Sequence, residues 1–177
     1  LVVRQEEDGI RRYLHLGTGN YNDSTAKIYT DMGLFTCNSQ YGADASSLFN
    51  VITGYSRPPE YRHFVVAPHT MRPFFCRMIK NETENAKKGL PSGITAKVNS
   101  LVDPEIISLL YEASQAGVPV KLIVRGICCL IPGLEGVSEN ITVISVVGQL
   151  LEHSRIFKFE NAGNPKVYMG SADWMPR

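Results

Sequence analysis

Apolar and polar positions change their period several times along this chain, and the changes mark out its elements. Leu1 to Arg4 and Arg11 to Leu16 read as two strands joined by Gln5-Glu6-Glu7-Asp8-Gly9, a hairpin closed by Asp-Gly. The second strand runs into a turn of small residues, Gly17-Thr18-Gly19-Asn20. In Ala26 to Asp31 the short apolar pattern fits a brief helix or an extended passage equally. From Ala43 to Gly54, Leu48, Phe49, Val51 and Ile52 recur at helical spacing and Gly54 stops the segment. Paired prolines in Tyr55-Ser56-Arg57-Pro58-Pro59-Glu60 suit neither a helix nor a central strand. That stretch is the linker candidate, with a boundary near His63 dividing 1–63 from 64–177.

Beyond it, Phe64 to Pro68 is expected as a strand, and Thr70 as the cap of a helix reaching about Lys88. That helix carries Phe74, Phe75, Met78 and Ile79 inward and ends at Gly89. Ile94 to Val98 is a strand. Asp103-Pro104-Glu105 supplies an N-cap, a proline at the first helical position and a first-turn acid. Ile106, Ile107, Leu109, Leu110 and Ala113 form the apolar stripe of that helix, which Gly117 closes. Val118 to Ile127 is dense in β-branched residues, as in a buried parallel strand. Strand, helix, strand in that order predicts a right-handed βαβ crossover and an α/β class. Further strands are expected at Ile141 to Val147, Glu152 to Phe159 and Lys166 to Gly170.

Composition narrows the picture only slightly. The chain has 177 residues, 44% apolar content and a formal charge of +1, enough for one average domain or two small ones. Nothing in the bulk charge calls for nucleic acid or an acidic membrane surface, so an anion site must come from local clustering. Cys37, Cys76 and the vicinal Cys128-Cys129 lack zinc-ligand spacing, and reduced thiols in a cytoplasm are expected. No run reaches the roughly 20 apolar residues of a membrane helix; membrane association of a longer parent chain stays open. Leu1-Val2-Val3 reads as strand interior with no initiator methionine, so a piece of a longer protein is the expectation.

The candidate chemistry is cationic. On an alternating strand His153 and Arg155 share a face, and Lys166 followed by the Gly170-Ser171 turn adds a charge and close backbone donors. The same His-x-Arg pattern also occurs on solvated strand faces. Gly17 to Asn20 repeats the strand-then-small-turn arrangement, suggesting paired half-sites. Arg125 ends an apolar strand, so it either pairs with an acid or faces an anion. Lys97 and Asn99 end the neighbouring strand and point the same way. Tyr29 is either core with its hydroxyl tied off or a group that stacks on a base or bonds a phosphate. Asp31 could orient a histidine. His63 and His69, beside prolines, read as solvated, and His15 as structural. Gly17-Thr18-Gly19 lacks the third glycine and the lysine of nucleotide loops.

Five strings carry a family resemblance: Arg12-Tyr13-Leu14-His15-Leu16-Gly17-Thr18-Gly19-Asn20-Tyr21, Ile28-Tyr29-Thr30-Asp31, Gly93 to Asp103, Val124-Arg125-Gly126-Ile127-Cys128 and Leu151-Glu152-His153-Ser154-Arg155. Together they resemble the bacterial polyphosphate kinase family whose catalytic half is phospholipase-D-like. The resemblance implies an α/β sandwich, the end of one phospholipase-D-like domain followed by most of a second. It implies an ATP site where a histidine is phosphorylated and passes its phosphoryl group to inorganic polyphosphate. By motif position Tyr29, Arg125 and His153 match ATP-contacting residues, and Asp31 matches an acid supporting the phosphorylated histidine. Mg2+ is implied as the metal, with ligands upstream of Leu1, and a homo-oligomer is expected of the full-length enzyme.

The departures bear on activity. The resemblance places the nucleophilic histidine in a His-x-Lys motif before Leu1, so this stretch alone is expected to be inactive. Gln149 and Asn81 stand where the family pattern suggests arginines. Two other readings remain at this stage: a phospholipase-D-like phosphodiesterase or nuclease, and a module that binds nucleotide or polyphosphate without turnover.

Overall fold

The computed structural model describes residues 1–54 and 60–175, so the linker candidate at 55–60 lies almost wholly outside the described residues. Two compact units are present, one of residues 1–17 with 32–66 and the other of residues 18–31 with 67 onward.

In the first unit β1 (Val2–Glu6), β2 (Gly9–Gly17) and β4 (Gly33–Thr36) form an antiparallel sheet in the order β1-β2-β4. Glu6 pairs with Gly9, so the hairpin turn is Glu7-Asp8 rather than Asp8-Gly9, and Gly9 takes a φ of +121° that suits glycine. Helix α2 (Ser39–Ile52) starts four residues before the predicted Ala43 because Asn38 caps it, accepting from the amides of Gln40 and Tyr41. Phe64 to Pro68 is not a strand. The amide of Phe64 donates to Asp44 Oδ2 at 3.0 Å, as those of Arg62 and His63 donate to the same buried carboxylate at 3.1 and 2.7 Å. An apolar run whose amide is held by a side chain has left the sheet ladder.

The second unit carries a five-stranded sheet ordered β10-β9-β5-β6-β7, formed by β5 (Ile94–Val98), β6 (Val120–Val124), β7 (Ile141–Ile144), β9 (Arg155–Phe159) and β10 (Lys166–Gly170). Strands β5, β6 and β7 are parallel, while β9 runs antiparallel to β5 and β10. The predicted crossover is α4 (Pro104–Gln115), whose Asp103 cap accepts from Glu105 and Ile106. α3 (Met71–Lys87) and α4 both end in left-handed glycines, Gly89 at φ +69° and Gly117 at φ +91°. In each, the next residue's amide reaches back five positions, Leu90 to Asn85 and Val118 to Ala113, satisfying the last carbonyls. Thr70 stands at the cap position of α3, but its side chain makes no cap hydrogen bond.

The core fills the space between these helices and the sheet. Ile79, Ile106 and Leu110 from the helices and Phe157, Phe159 and Trp174 from the sheet side are each at most 2% exposed. Phe75 packs against Phe157 and Trp174 at centroid distances of 4.4 and 5.7 Å, where truncation to alanine typically costs about 3–5 kcal/mol.

A small second sheet also belongs to this unit. β3 (Tyr29–Thr30), following the short helix α1 (Asp23–Ala26), pairs in parallel with β8 (Leu151–Glu152). The extended option for Ala26 to Asp31 therefore holds at its end. The expected single strand from Glu152 to Phe159 is instead two, since β8 joins β3 and β9 joins β5. His153 and Ser154 bridge the two sheets, so period-two alternation does not relate His153 to Arg155.

Candidate active site

The β3-β8 pairing builds one wall of the site. Leu151 donates its amide to Ile28 at 2.7 Å, and His153 donates its own to Thr30 at 2.9 Å. This lays the Tyr29 ring flat on the His153 imidazole, with centroids 4.4 Å apart and planes 11° apart. On the other side of the ring, Nδ1 lies 2.7 Å from the carbonyl oxygen of the buried Thr18. A carbonyl only accepts, so Nδ1 carries the hydrogen and Nε2 is the nitrogen left for chemistry. Asp31 is seated directly over Gly19, where a methyl group would overlap its carboxylate. Only glycine at 19 lets that acid and that backbone meet.

The carboxyl ends of β5 and β6 supply the cation. Arg125 donates from Nε to Asn99 Oδ1 at 2.9 Å and from Nη1 to the carbonyl of Glu152 at 2.6 Å, the residue before His153. Among the described residues it has no carboxylate partner. Of the two options left open by its position, the ion pair is absent and the charge stays available to an anion. The guanidinium is half-buried, which strengthens its field relative to water.

Three other expected cations are differently placed. Lys97 Nζ binds Glu152 Oε2 at 2.6 Å and Ser154 Oγ at 2.8 Å, so its charge is already countered. Arg155 is 7% exposed, with Nε 2.9 Å from Asp173 Oδ1 and Nη1 2.6 Å from the carbonyl of His153. Its fork holds the protein together rather than facing solvent. Lys166 pairs with Phe159, at the amino end of β5, whereas the site lies at the carboxyl end. The four residues to Gly170 span about 13 Å of strand, which takes Lys166 out of the pocket. Because β10 is antiparallel to β9 and so runs in the same direction as β5, its first residue lies at the amino edge of the sheet.

The turn residues divide as well. Gly17 closes β2 opposite Gly33 in the first unit, where Gly33 leaves room for the His15 ring stacked on Phe35 at 4.4 Å. Exposed Asn20 gives its carbonyl to the amide of Asn22. Ser171 is exposed and lines a cleft of about 470 Å3 with Met71, Arg72, Ile106 and Trp174. Next to Arg72, burial raises the Asp103 carboxyl, but the Arg72 guanidinium at 2.6 Å and the α4 amides outweigh it and hold the acid below its ordinary range. His63 is not merely solvated, since it stacks on Tyr41 at 4.8 Å and bonds Gln40 through Nε2.

Sequence reasoning missed Thr18, Glu152 and Asp173, which act here through backbone carbonyls or as a distant ion-pair partner. The cost of burying an unpaired guanidinium, applied to Arg155 as it was to Arg125, would have demanded an acid such as Asp173. Among the described residues no three or more His, Cys, Asp or Glu side chains converge on a metal position.

Comparison with known proteins adds the family context. The family description "Polyphosphate kinase C-terminal domain 2" matches residues 64–177, and "Polyphosphate kinase C-terminal domain 1" matches residues 1–58. The chain is 60% identical over all 177 residues to a polyphosphate kinase of Synechocystis sp., covering 24% of that protein. It is 54% identical over its full length to one from Lactiplantibacillus plantarum, covering 25% of it. The chain thus spans about a quarter of the length of the curated relatives it matches. The crystal structure of polyphosphate kinase from Porphyromonas gingivalis superposes with a TM-score of 0.86 at 41% identity, over 94% of this chain and 27% of that one. The expected phospholipase-D-like α/β fold holds.

Proposed function

The chain belongs to the polyphosphate kinase family, and from that premise we propose that it forms the nucleotide-binding part of an enzyme that reversibly moves the terminal phosphoryl group of ATP to inorganic polyphosphate. The observation that carries this reading is the His153 imidazole, stacked on Tyr29 and held at Nδ1 by Thr18, beside an arginine with no acid partner among the described residues.

Phosphoryl transfer asks a protein chiefly to align donor and acceptor and to offset charge on the phosphate oxygens. Arg125 supplies the offset through a planar fork that suits phosphate oxygens. Its Nε and Nη1 are fixed by Asn99 and Glu152, which aims the rest of the guanidinium without neutralising it. His153 acts through Nε2. With Nδ1 already donating to Thr18, a proton on Nε2 makes the ring an imidazolium that donates to a phosphate oxygen while the Pγ–O bond breaks. When the oxygen has taken the proton, the neutral ring keeps its Nδ1 hydrogen bond and its orientation. Tyr29 keeps the ring plane fixed through both states.

Asp31, following the family pattern, supports the histidine that receives the phosphoryl group, a residue expected outside this chain. Mg2+, when bound, would offset charge on the phosphate oxygens, and no step above is routed through it. A cytoplasmic homo-oligomer completes the reading. Burial of Arg155 on Asp173 removes the second cation on which the phosphodiesterase alternative rests.

The test is to incubate the full-length enzyme with labelled ATP and follow acid-labile phosphohistidine and long polyphosphate. His153→Ala is expected to lower turnover by about 10²–10⁴-fold, the usual range for a lost general acid. Turnover at the wild-type rate would remove His153 from the chemistry.

A further inference from the structure

Asp173 is tied to both of the groups assigned to the nucleotide, and by two separate branches. Its Oδ1 accepts the Asn99 backbone amide at 2.7 Å and Arg155 Nε at 2.9 Å, with Oδ2 3.4 Å from Nη2. On the first branch, Asn99 Oδ1 accepts from Arg125 Nε. On the second, Arg155 Nη1 donates to the carbonyl of His153 at 2.6 Å. One carboxylate is therefore two links from Arg125 and two links from the His153 backbone.

The carboxylate has a rigid seat. Its side chain is 8% exposed and that of Arg155 is 9% exposed. The next residue, Trp174, is 1% exposed and bridges in parallel to Leu101, two positions after Asn99. The 171–175 segment thus returns alongside the end of β5 and brings an acid against two neighbouring anchors. A buried guanidinium with its acid removed is strongly destabilised, so the pair has one arrangement. That arrangement sets where the His153 carbonyl, and with it the ring, sits.

We propose that Asp173 is a positioning residue that holds Arg125 and His153 in register with each other, so that phosphate binding and proton donation occur at one place. The proposal rests on the nucleotide reading above and adds a residue to it. Arg155 belongs to the His153 branch alone, and Asp173 to both. Displacing either branch by about 1 Å is enough to cost of the order of 10²-fold in a positioned reaction.

The two branches make the test specific. In the full-length enzyme, Asp173→Asn keeps an oxygen for the Asn99 amide but leaves Arg155 without a counter-charge. It is expected to lower kcat by about tenfold or more and raise the KM for ATP by about fivefold or more. Arg155→Lys keeps the charge but cannot hold Asp173 and the His153 carbonyl together. It is expected to lower kcat similarly while KM stays within about twofold. Nitrogen-15 NMR of the His153 ring reads the mechanism independently. The wild type should show the single tautomer with hydrogen on Nδ1, and both variants a mixture.

A purely structural role would leave the tautomer and the kcat-to-KM split unchanged in folded variants, and that result overturns the proposal. If Asp173→Asn fails to fold, Arg155→Lys and its tautomer decide alone. Arg125→Ala and His153→Ala run in parallel separate the two layers. If these are silent, the nucleotide reading fails; if they act while folded Asp173→Asn and Arg155→Lys are silent, only the positioning role fails.

Discussion

The ends of β6 and β9 each carry an arginine, and the two are used in opposite ways. Arg155 is buried, paired with Asp173 and bonded to a carbonyl; Arg125 is half-buried and, among the described residues, bonded only to an amide oxygen and a carbonyl. Both guanidiniums are fixed in place, but only the first has its charge cancelled. A fixed cation without a counter-ion is costly to keep for stability alone, and its charge has value only toward an incoming anion. The same contrast separates Lys97, countered by Glu152, from Arg125 two strand positions beyond the neighbouring pair.

The two arginines should differ most in what they contribute to stability. Arg155→Ala should cost about 3–5 kcal/mol, because it leaves Asp173 buried and unpaired, whereas Arg125→Ala should cost about 1–2 kcal/mol, since its two bonds go to neutral acceptors and no buried charge is left unpaired. Urea unfolding of both variants checks the ranking, and equal costs would show that the two arginines are not used differently. Affinity should invert the order. Arg125→Ala is expected to weaken ATP binding by about tenfold or more, the loss of a charged bidentate contact being worth at least about 1.4 kcal/mol.

Acid acts on a second ion pair, in which only the carboxylate is buried. Asp103 takes both forks of Arg72, at 2.6 and 3.0 Å, and its carboxyl is lower in the folded chain than its ordinary 3.8. A depressed carboxyl stabilises fully above its unfolded value, and the contribution is lost as pH falls through the folded value. Unfolding free energy followed downward from about pH 5 should therefore fall, and Asp103→Asn should flatten that limb. The smallest effect belongs to Lys166. At the far edge of the sheet and exposed, Lys166→Ala should change ATP affinity by less than about twofold, as expected for a screened distant charge.

How much could be read from the sequence follows the range of the forces involved. Asp103-Pro104 and the glycines at 89 and 117 act within one helical turn, so α3 and α4 were legible almost to the residue. The βαβ order followed from β-branched density and the intervening stripe. The strand break at His153-Ser154 was not legible, because what divides 152–159 is pairing with Tyr29-Thr30 on one side and with β5 on the other. Lys166 was misplaced for the same reason, since strand direction decides which edge a residue reaches. Within the site, Arg125 and His153 stood out by residue type. Thr18 did not, since a backbone carbonyl carries no signal in its side chain.

The central claim is that Arg125 keeps its charge for a nucleotide phosphate while Arg155 does not. Calorimetric titration of ATP into the full-length enzyme and its Arg125→Ala variant tests it most directly. The expected result is an affinity lower by about tenfold or more with the unfolding midpoint lowered far less than by Arg155→Ala; equal affinity in a folded variant would contradict it.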